Sequence, residues 1–243
     1  MRDDALPMVV ILAGGLATRL RPVTERIPKS LVDVNGEPFI AHQLRLLRRN
    51  GAHRIVVCAG YLGEQIQSAV GDGSSYGVSV LYSFDGPVPL GTGGALRAAS
   101  SLLGESFLVV YGDSYLDCDY RGAWKAFADA GTAGLMSIYR NDGQWDSSNV
   151  EFDGRRIVAY DKTERSPRMR YIDYGLGIFR HAALERVPES SPFDLATLYQ
   201  MLLRDGQLAA WIADRRFYEV GSFAGLEETR AYIAGAQLRT QTS

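Results

Sequence analysis

Lysine and cysteine are scarce in this 243-residue chain. Only Lys29, Lys125 and Lys162 among the 26 basic residues are lysines, so ordinary surface charge is carried by arginine. The two cysteines, Cys58 and Cys118, form no C-x-x-C pair. That excludes a disulfide-built scaffold and fits reduced thiols, neither of them a candidate nucleophile. Three histidines, His42, His53 and His181, lack metal-ligand spacing and read as structural. No apolar run reaches the roughly 18 residues of a membrane span, and Met8–Ala13 is too short for a signal core. A cytoplasmic protein with no membrane partner is expected. Charge of one sign is lacking too: 26 Lys+Arg against 28 Asp+Glu leave −2, no field for holding nucleic acid. No repeat or low-complexity tract is visible, which excludes solenoids and propellers.

What is present is a sequence with 46% hydrophobic residues, ample for a large core. A single domain over residues 1–243, its core within 7–235, is expected. Charge is unevenly placed: residues 1–60 hold nine cations and five acids, or +4, which leaves −6 for the remainder. The N-terminal quarter is therefore where an anion belongs.

Met8–Ala13 is a continuous apolar run ending in Gly14-Gly15, the pattern of a central strand buried on both faces. Ile40, Leu44 and Leu47 mark a helix begun by Pro38 and stopped by Asn50-Gly51, and Arg54–Ala59 is the next strand. Further helices are predicted at Glu64–Val70, Ala95–Leu103 and Tyr120–Ala130, with strands at Val78–Tyr82, Phe107–Tyr111 and Ala133–Ile138. A hairpin then joins Asn149–Phe152 to Arg156–Asp161 through Asp153-Gly154. Strands at Ile172–Phe179, Leu208–Ile212 and Phe217–Val220 and helices at His181–Val187, Asp194–Leu203 and Ala224–Ala234 follow. The fold class expected is α/β: a three-layer, Rossmann-like fold with a mixed, mostly parallel central sheet. Ligands on such sheets bind beyond the carboxyl ends of the strands.

The first such end, Leu12 to Lys29, carries Gly14-Gly15, Thr18, Arg19, Arg21, Arg26 and Lys29. Glycine lets backbone N–H groups close on an anion, and guanidinium groups chelate phosphate oxygens, so a polyphosphate is the natural ligand. Neither G-x-x-x-x-G-K-[ST] nor G-x-G-x-x-G is present. The plain alternative is a tight turn and a solvated basic segment. Leu12-Ala13-Gly14-Gly15-x-x-Thr18-Arg19-Leu20-x-Pro22-x-Thr24, with Pro28-Lys29-x-Leu31-Val32 and Val34-Asn35-Gly36-x-Pro38, closely resembles the signature of sugar-1-phosphate nucleotidyltransferases. The resemblance runs on through Pro89–Ala95, Gly112-Asp113, Asp161-Lys162, Asp173-Tyr174-Gly175 and Glu219-Val220-Gly221-Ser222.

The resemblance implies transfer of a nucleotidyl group from an NTP to a sugar 1-phosphate, with Mg²⁺ as cofactor and pyrophosphate released. It implies that Arg19 and Lys29 are the catalytic cations on the triphosphate, and that Leu12, Ala13, Gly14, Gly15, Thr18, Gly91, Thr92 and Gly94 bind nucleotide. Lys162 would contact the sugar phosphate, Asp173 and Gly175 the sugar hydroxyls, and Asp113 and Glu219 the metal. Glu219 departs from the aspartate usual in the family. Many relatives place a Glu or Gln that reads the base just before Pro89; here Asp85 is the candidate. Two of three lysines thus fall on phosphate positions, while Lys125 reads as solvated. Trp145, Tyr171 and Tyr174 are candidates for stacking on a sugar. The chain looks like the minimal form of the family, lacking an appended β-helix, and a monomer or homodimer is expected.

Base and sugar stay open. The short chain and its Gly-Thr-Gly-Gly loop resemble heptose-1-phosphate guanylyltransferases and N-acetylmuramate-1-phosphate uridylyltransferases, and the reading leans to GTP with a heptose or mannose-like 1-phosphate. Uridylyl-, thymidylyl- and cytidylyltransferases remain alternatives. Asp117-Cys118-Asp119 has the Asp-x-Asp spacing of glycosyltransferases of related fold, and the Glu219 and Ser222 departures leave room for an inactive nucleotide-sugar sensor.

Overall fold

The computed structural model describes residues 5–15, 20, 23–189 and 191–241, the last five of these by backbone only. Met8–Leu12 (β1) is a wholly buried central strand, as its unbroken apolar run requires. It lies parallel between Arg54–Ala59 (β4) and Ser106–Tyr111 (β6), and β4 pairs in parallel with Ser79–Phe84 (β5). Between β1 and β4 come a short hairpin, Asp33–Val34 (β2) with Glu37–Pro38 (β3), and the helix Phe39–Arg49 (α1). The chain thus runs from β1 toward β5 and then returns to the other side of β1 as β6. The carboxyl ends of β1 and β6 flank that switch point, where open α/β sheets place their ligands.

Beyond β6 the sheet turns antiparallel. Tyr171–Arg180 (β11) pairs with β6 through Leu176–Arg180 and with Gly134–Arg140 (β8) along its other edge. Val150–Phe152 (β9) and Ile157–Tyr160 (β10) form the expected hairpin, and Leu208–Ile212 (β12) lies parallel to β8. The β11–β8 register shifts between Asp173 and Gly177, and Gly175 has φ +99°. A bulge of this kind re-aims side chains at a sheet's edge. The strand predicted at Phe217–Val220 is only Tyr218–Glu219 (β13), paired with Ser114–Tyr115 (β7) off the main sheet.

One face of the sheet packs Val9 and Ile11 against α1, Gly63–Val70 (α2) and Tyr120–Ala130 (α4). The other packs Val10 and Leu12 against Gly91–Ala98 (α3) and Leu195–Arg204 (α5). Alternating strand residues therefore feed two cores, which makes the three layers. A smaller cluster around Leu20, Val32, Phe39 and Val220 seats the closing helix Phe223–Gln241 (α6). Two expectations change here. His181–Arg186 is a 3₁₀ rather than an α-helix. The Gly91-Thr92-Gly93-Gly94 segment is the first turn of α3 and not a loop, because the Phe193 carbonyl accepts the Gly93 and Gly94 N–H groups at 2.8 and 3.1 Å. Those N–H groups would otherwise be unpaired at a helix start.

Candidate active site

Two cavities open at the carboxyl ends of the strands and meet at Tyr111 and Asp113. Strand register builds the first: Leu12 stands beside Cys58 of β4 and Tyr111 of β6. The chain reverses tightly beyond these ends. Gly112 N–H donates to the Leu12 carbonyl at 2.8 Å, and a Cβ on Gly112 would lie 2.9 Å from that oxygen. A Cβ on Gly60 would likewise lie 2.9 Å from the Gly14 carbonyl oxygen. Glycine at these two positions lets the three strand ends close together.

The first cavity, about 310 Å³, is lined by Leu12, Ala13, Gly14, Gly15, Lys29, Asp85, Gly91, Thr92 and Asp113 among others. Gly94 does not line it, being packed against Leu90 and Ser191. Its glycine is explained by that packing, as is Gly93's, where a Cβ would sit 2.7 Å from the Phe193 ring. Thr18 and Arg19 lie outside the described residues. Asp85 accepts from the Leu90 N–H at 3.3 Å; burial pushes its carboxyl above the usual range, against that one hydrogen bond. Burial also pushes the Cys58 thiol far up, which removes it as a nucleophile.

The second cavity, about 630 Å³, is lined by Lys162, Asp173, Gly175, Glu219, Trp145, Asn149 and Arg165 among others. The bulge in β11 presents Asp173 to it. The Asp173 backbone N–H donates to Asn149 Oδ1 at 2.9 Å, and the Asp173 carboxylate accepts from the Gly175 N–H at 3.0 Å. Burial raises the Asp173 carboxyl from its ordinary value, opposed chiefly by the charge of Lys162. Tyr174 lines this cavity but is almost wholly buried, and Tyr171 packs edge-on to Phe152. Lys125 is on the surface, paired with Asp129 one turn along α4.

At the junction, Lys29 Nζ lies 2.8 Å from Asp113 Oδ2. Tyr111, which the sequence did not single out, borders both cavities; its hydroxyl is buried with no hydrogen-bond partner among the described residues. An aromatic ending an apolar strand directly before Gly112-Asp113 is the only signal for it. Asp194, also missed, joins the two sides. Its Oδ1 accepts from Thr92 Oγ1 at 3.2 Å and from the Ala196 N–H at 2.8 Å, and lies 3.8 Å from Lys162 Nζ.

Among the described residues no group of three or more His, Cys, Asp or Glu side chains is set to hold a metal. A hard divalent cation needs only one or two carboxylates when phosphate oxygens complete its shell. Asp113 suits that role: apart from Lys29, its carboxylate meets only Ser114 Oγ among the described residues, at 3.3 Å. Glu219 is close by through the backbone, since Val220 N–H donates to the Asp113 carbonyl at 2.8 Å. Its carboxylate, however, already accepts from the Gly221 N–H and from Ser222 Oγ, the latter at 2.6 Å. Each of these oxygens keeps a second lone pair, so Glu219 can ligate a cation while still bonded to the start of α6. The rival Asp-x-Asp pair is spent on structure: Asp117 accepts from Tyr232 Oη and pairs with Arg215, and Asp119 caps α4 through the Gly122 N–H. Neither borders a cavity described above.

The chain is 32% identical over 93% of its length to N-acetylmuramate alpha-1-phosphate uridylyltransferase of Neisseria meningitidis, covering 98% of that protein. It is 26% identical over 81% of its length to mannose-1-phosphate guanylyltransferase of Mycobacterium tuberculosis, covering 55% of it. HddC of Yersinia pseudotuberculosis, solved in complex with GMP-PN, superposes with a TM-score of 0.76 at 25% identity, with 94% of this chain and all of HddC covered. No helix of the described residues is long and apolar enough to cross a membrane. Residues 8–233 match the nucleotidyl transferase model, and the chain belongs to that family, whose relatives matched here are sugar-1-phosphate nucleotidyltransferases.

Proposed function

We propose that this protein transfers a nucleotidyl group from an NTP to a sugar 1-phosphate, with the NTP in the first cavity and the sugar phosphate in the second. The observation that carries this reading is the meeting of the two cavities at Asp113, with Lys29 beside it. A phosphate oxygen of the sugar attacks the α-phosphorus of the NTP in line. The new P–O bond forms as the α–β bridging bond breaks, and pyrophosphate leaves with its electrons. No covalent enzyme intermediate is needed, so the protein's work is positioning and neutralisation of charge. Lys29 supplies a fixed cation at the α-phosphate and departing pyrophosphate, and Arg19 is assigned to the same charge. Lys162 holds the sugar phosphate, and Asp173 accepts from sugar hydroxyls. Asp113, with Glu219 as second carboxylate, would hold Mg²⁺, which would supply neutralisation of triphosphate charge when bound.

For the base we propose guanine, and for the sugar a heptose or mannose-like 1-phosphate. Guanine offers two adjacent donors, N1–H and the 2-amino group, that one carboxylate can accept together. Asp85 is a carboxylate in the nucleotide cavity, and HddC was solved with a guanine nucleotide analogue. The second reading, a uridylyltransferase, is favoured by the Neisseria relative and its near-complete coverage. Consumption of NTP fits a cytoplasmic enzyme.

The test is pyrophosphate release with four NTPs against a panel of sugar 1-phosphates, with and without Mg²⁺. Activity dependent on both substrates is expected, strongest with GTP. Release of a free nucleotide from a nucleotide sugar would instead mark a glycosyltransferase, and binding without turnover a sensor.

A further inference from the structure

The sugar cavity contains an aromatic that the chemistry above does not use. Four aromatic side chains border it: Tyr111, Trp145, Tyr174 and Phe217. The Tyr111 hydroxyl is buried, and Tyr174 is 2% exposed with Phe217 packed edge-on against it at 6.2 Å. Trp145 alone among them is a large exposed hydrophobic, with 44% of its surface accessible. An indole left this open forgoes much of the burial that normally secures tryptophan in a fold.

Trp145 is nevertheless held, by its backbone and at one face of its ring. Its backbone N–H donates to Asn141 Oδ1 at 3.2 Å, and Asn141 is wholly buried, its amide donating to the Asp146 carbonyl and to Ser148 Oγ. Asp142 and Gly143, with φ of +46° and +76°, turn the chain between the two residues. The Arg216 guanidinium lies 3.4 Å above the indole ring centre. Arg216 is in turn fixed from behind, over Tyr218 at 4.5 Å and by a 2.5 Å bond to Glu228 of α6. Cation–π contact of this kind orders the ring at its back.

We propose that Trp145 is the platform on which the ring of the sugar 1-phosphate stacks, and that Arg216 is the positioning residue that holds it. The ligand class is a pyranose 1-phosphate. Its C–H face lies on the indole, its phosphate reaches Lys162, and its hydroxyls reach Asp173 on the cavity wall. The inference rests on the proposed function only in taking the second cavity as the sugar site.

The experiment is steady-state kinetics on Trp145→Ala, Trp145→Phe, Arg216→Ala and Arg216→Lys with the best substrate pair. Trp145→Ala raises KM for the sugar 1-phosphate about tenfold, while kcat and KM for the NTP hold within about twofold; Trp145→Phe recovers most of the loss. A factor of ten is about 1.4 kcal/mol, the scale of one aromatic contact. Arg216→Ala raises the same KM several-fold, and Arg216→Lys restores it. Sugar 1-phosphate quenches tryptophan fluorescence in the wild type, and Trp145→Phe loses that signal although Trp124 and Trp211 remain. Wild-type turnover with an unchanged sugar KM in both Trp145 variants overturns the platform and leaves the proposed function standing. No turnover of any sugar 1-phosphate by the wild type overturns both.

Discussion

Lys29 and Asp113, 84 positions apart in sequence, form a 2.8 Å ion pair where the two cavities meet. The pair sets the cation assigned to the triphosphate against the carboxylate assigned to the metal. Removing either therefore does more than delete a ligand, because it leaves the opposite charge unpaired in a partly buried site.

Lys29→Ala is expected to lower kcat by roughly 10²–10³, the usual cost of one electrostatic contact made in the transition state. KM for the NTP should move far less. Single-turnover rates with saturating NTP check this, and near-wild-type turnover removes Lys29 from the mechanism.

Glu219→Gln separates two roles. If the carboxylate serves the metal, the Mg²⁺ concentration for half-maximal rate rises about tenfold or more. If it serves only the start of α6, through Gly221 and Ser222, Mg²⁺ dependence stays put and only the melting temperature falls. A Mg²⁺ titration of activity beside a thermal melt reads both.

Asp85→Asn tests the base. It should lower kcat/KM for GTP about tenfold or more, since an amide cannot accept two adjacent donors as a carboxylate does, and shift preference among NTPs. Burial raises this carboxyl in the folded protein. Its contribution to stability is therefore present below the unfolded pKa and lost as pH rises through the folded value. At neutral pH Asp85→Asn should melt higher than wild type, and the gap should close on acidification. Thermal melts between pH 4 and pH 8, a span of about 4 units around the carboxylate range, measure it.

Asp194→Asn keeps an N-cap for α5 and an acceptor for Thr92 but removes the charge facing Lys162. A modest rise in KM for the sugar 1-phosphate, with stability unchanged, is expected. Asp194→Ala should add a loss of about 1 kcal/mol of stability, typical of a missing cap. Wild-type kinetics in both variants assign Asp194 to capping alone.

Much of this could be read from local signals. The unbroken run Met8–Leu12 could only be a strand buried on two faces, and α4 carries its own punctuation, Asp119 at its start and Gly131 with φ +66° at its end. The glycine-rich turn of α3 could not be read that way, since four residues, three of them glycine, favour a loop unless something distant caps them. Phe193, some hundred positions away, does so. Tyr111 and Asp194 escaped for the same reason: neither belongs to a motif, and each matters through what folding brings beside it. Gly14, Gly15 and Lys29 were legible as neighbours because a single strand end is enough to gather them into the first cavity.

The bulge at Gly175 divides labour along a single strand. On one side of it β11 pairs with both β6 and β8 over Gly177–Phe179; on the other, Tyr171–Asp173 stays paired with β8 while Ile172 and Asp173 border the second cavity. A replacement of Asp173 or Gly175 thus acts on the cavity wall and on the strand's register together. The turn from Asp142 to Ser148 lies outside the paired strands, and buried Asn141 with Ser148 holds its shape. If the second cavity is the sugar site, a change of sugar preference should cost folding least at an exposed cavity residue of that turn such as Ser147, which leaves the bonds of Asn141 and the strand in place.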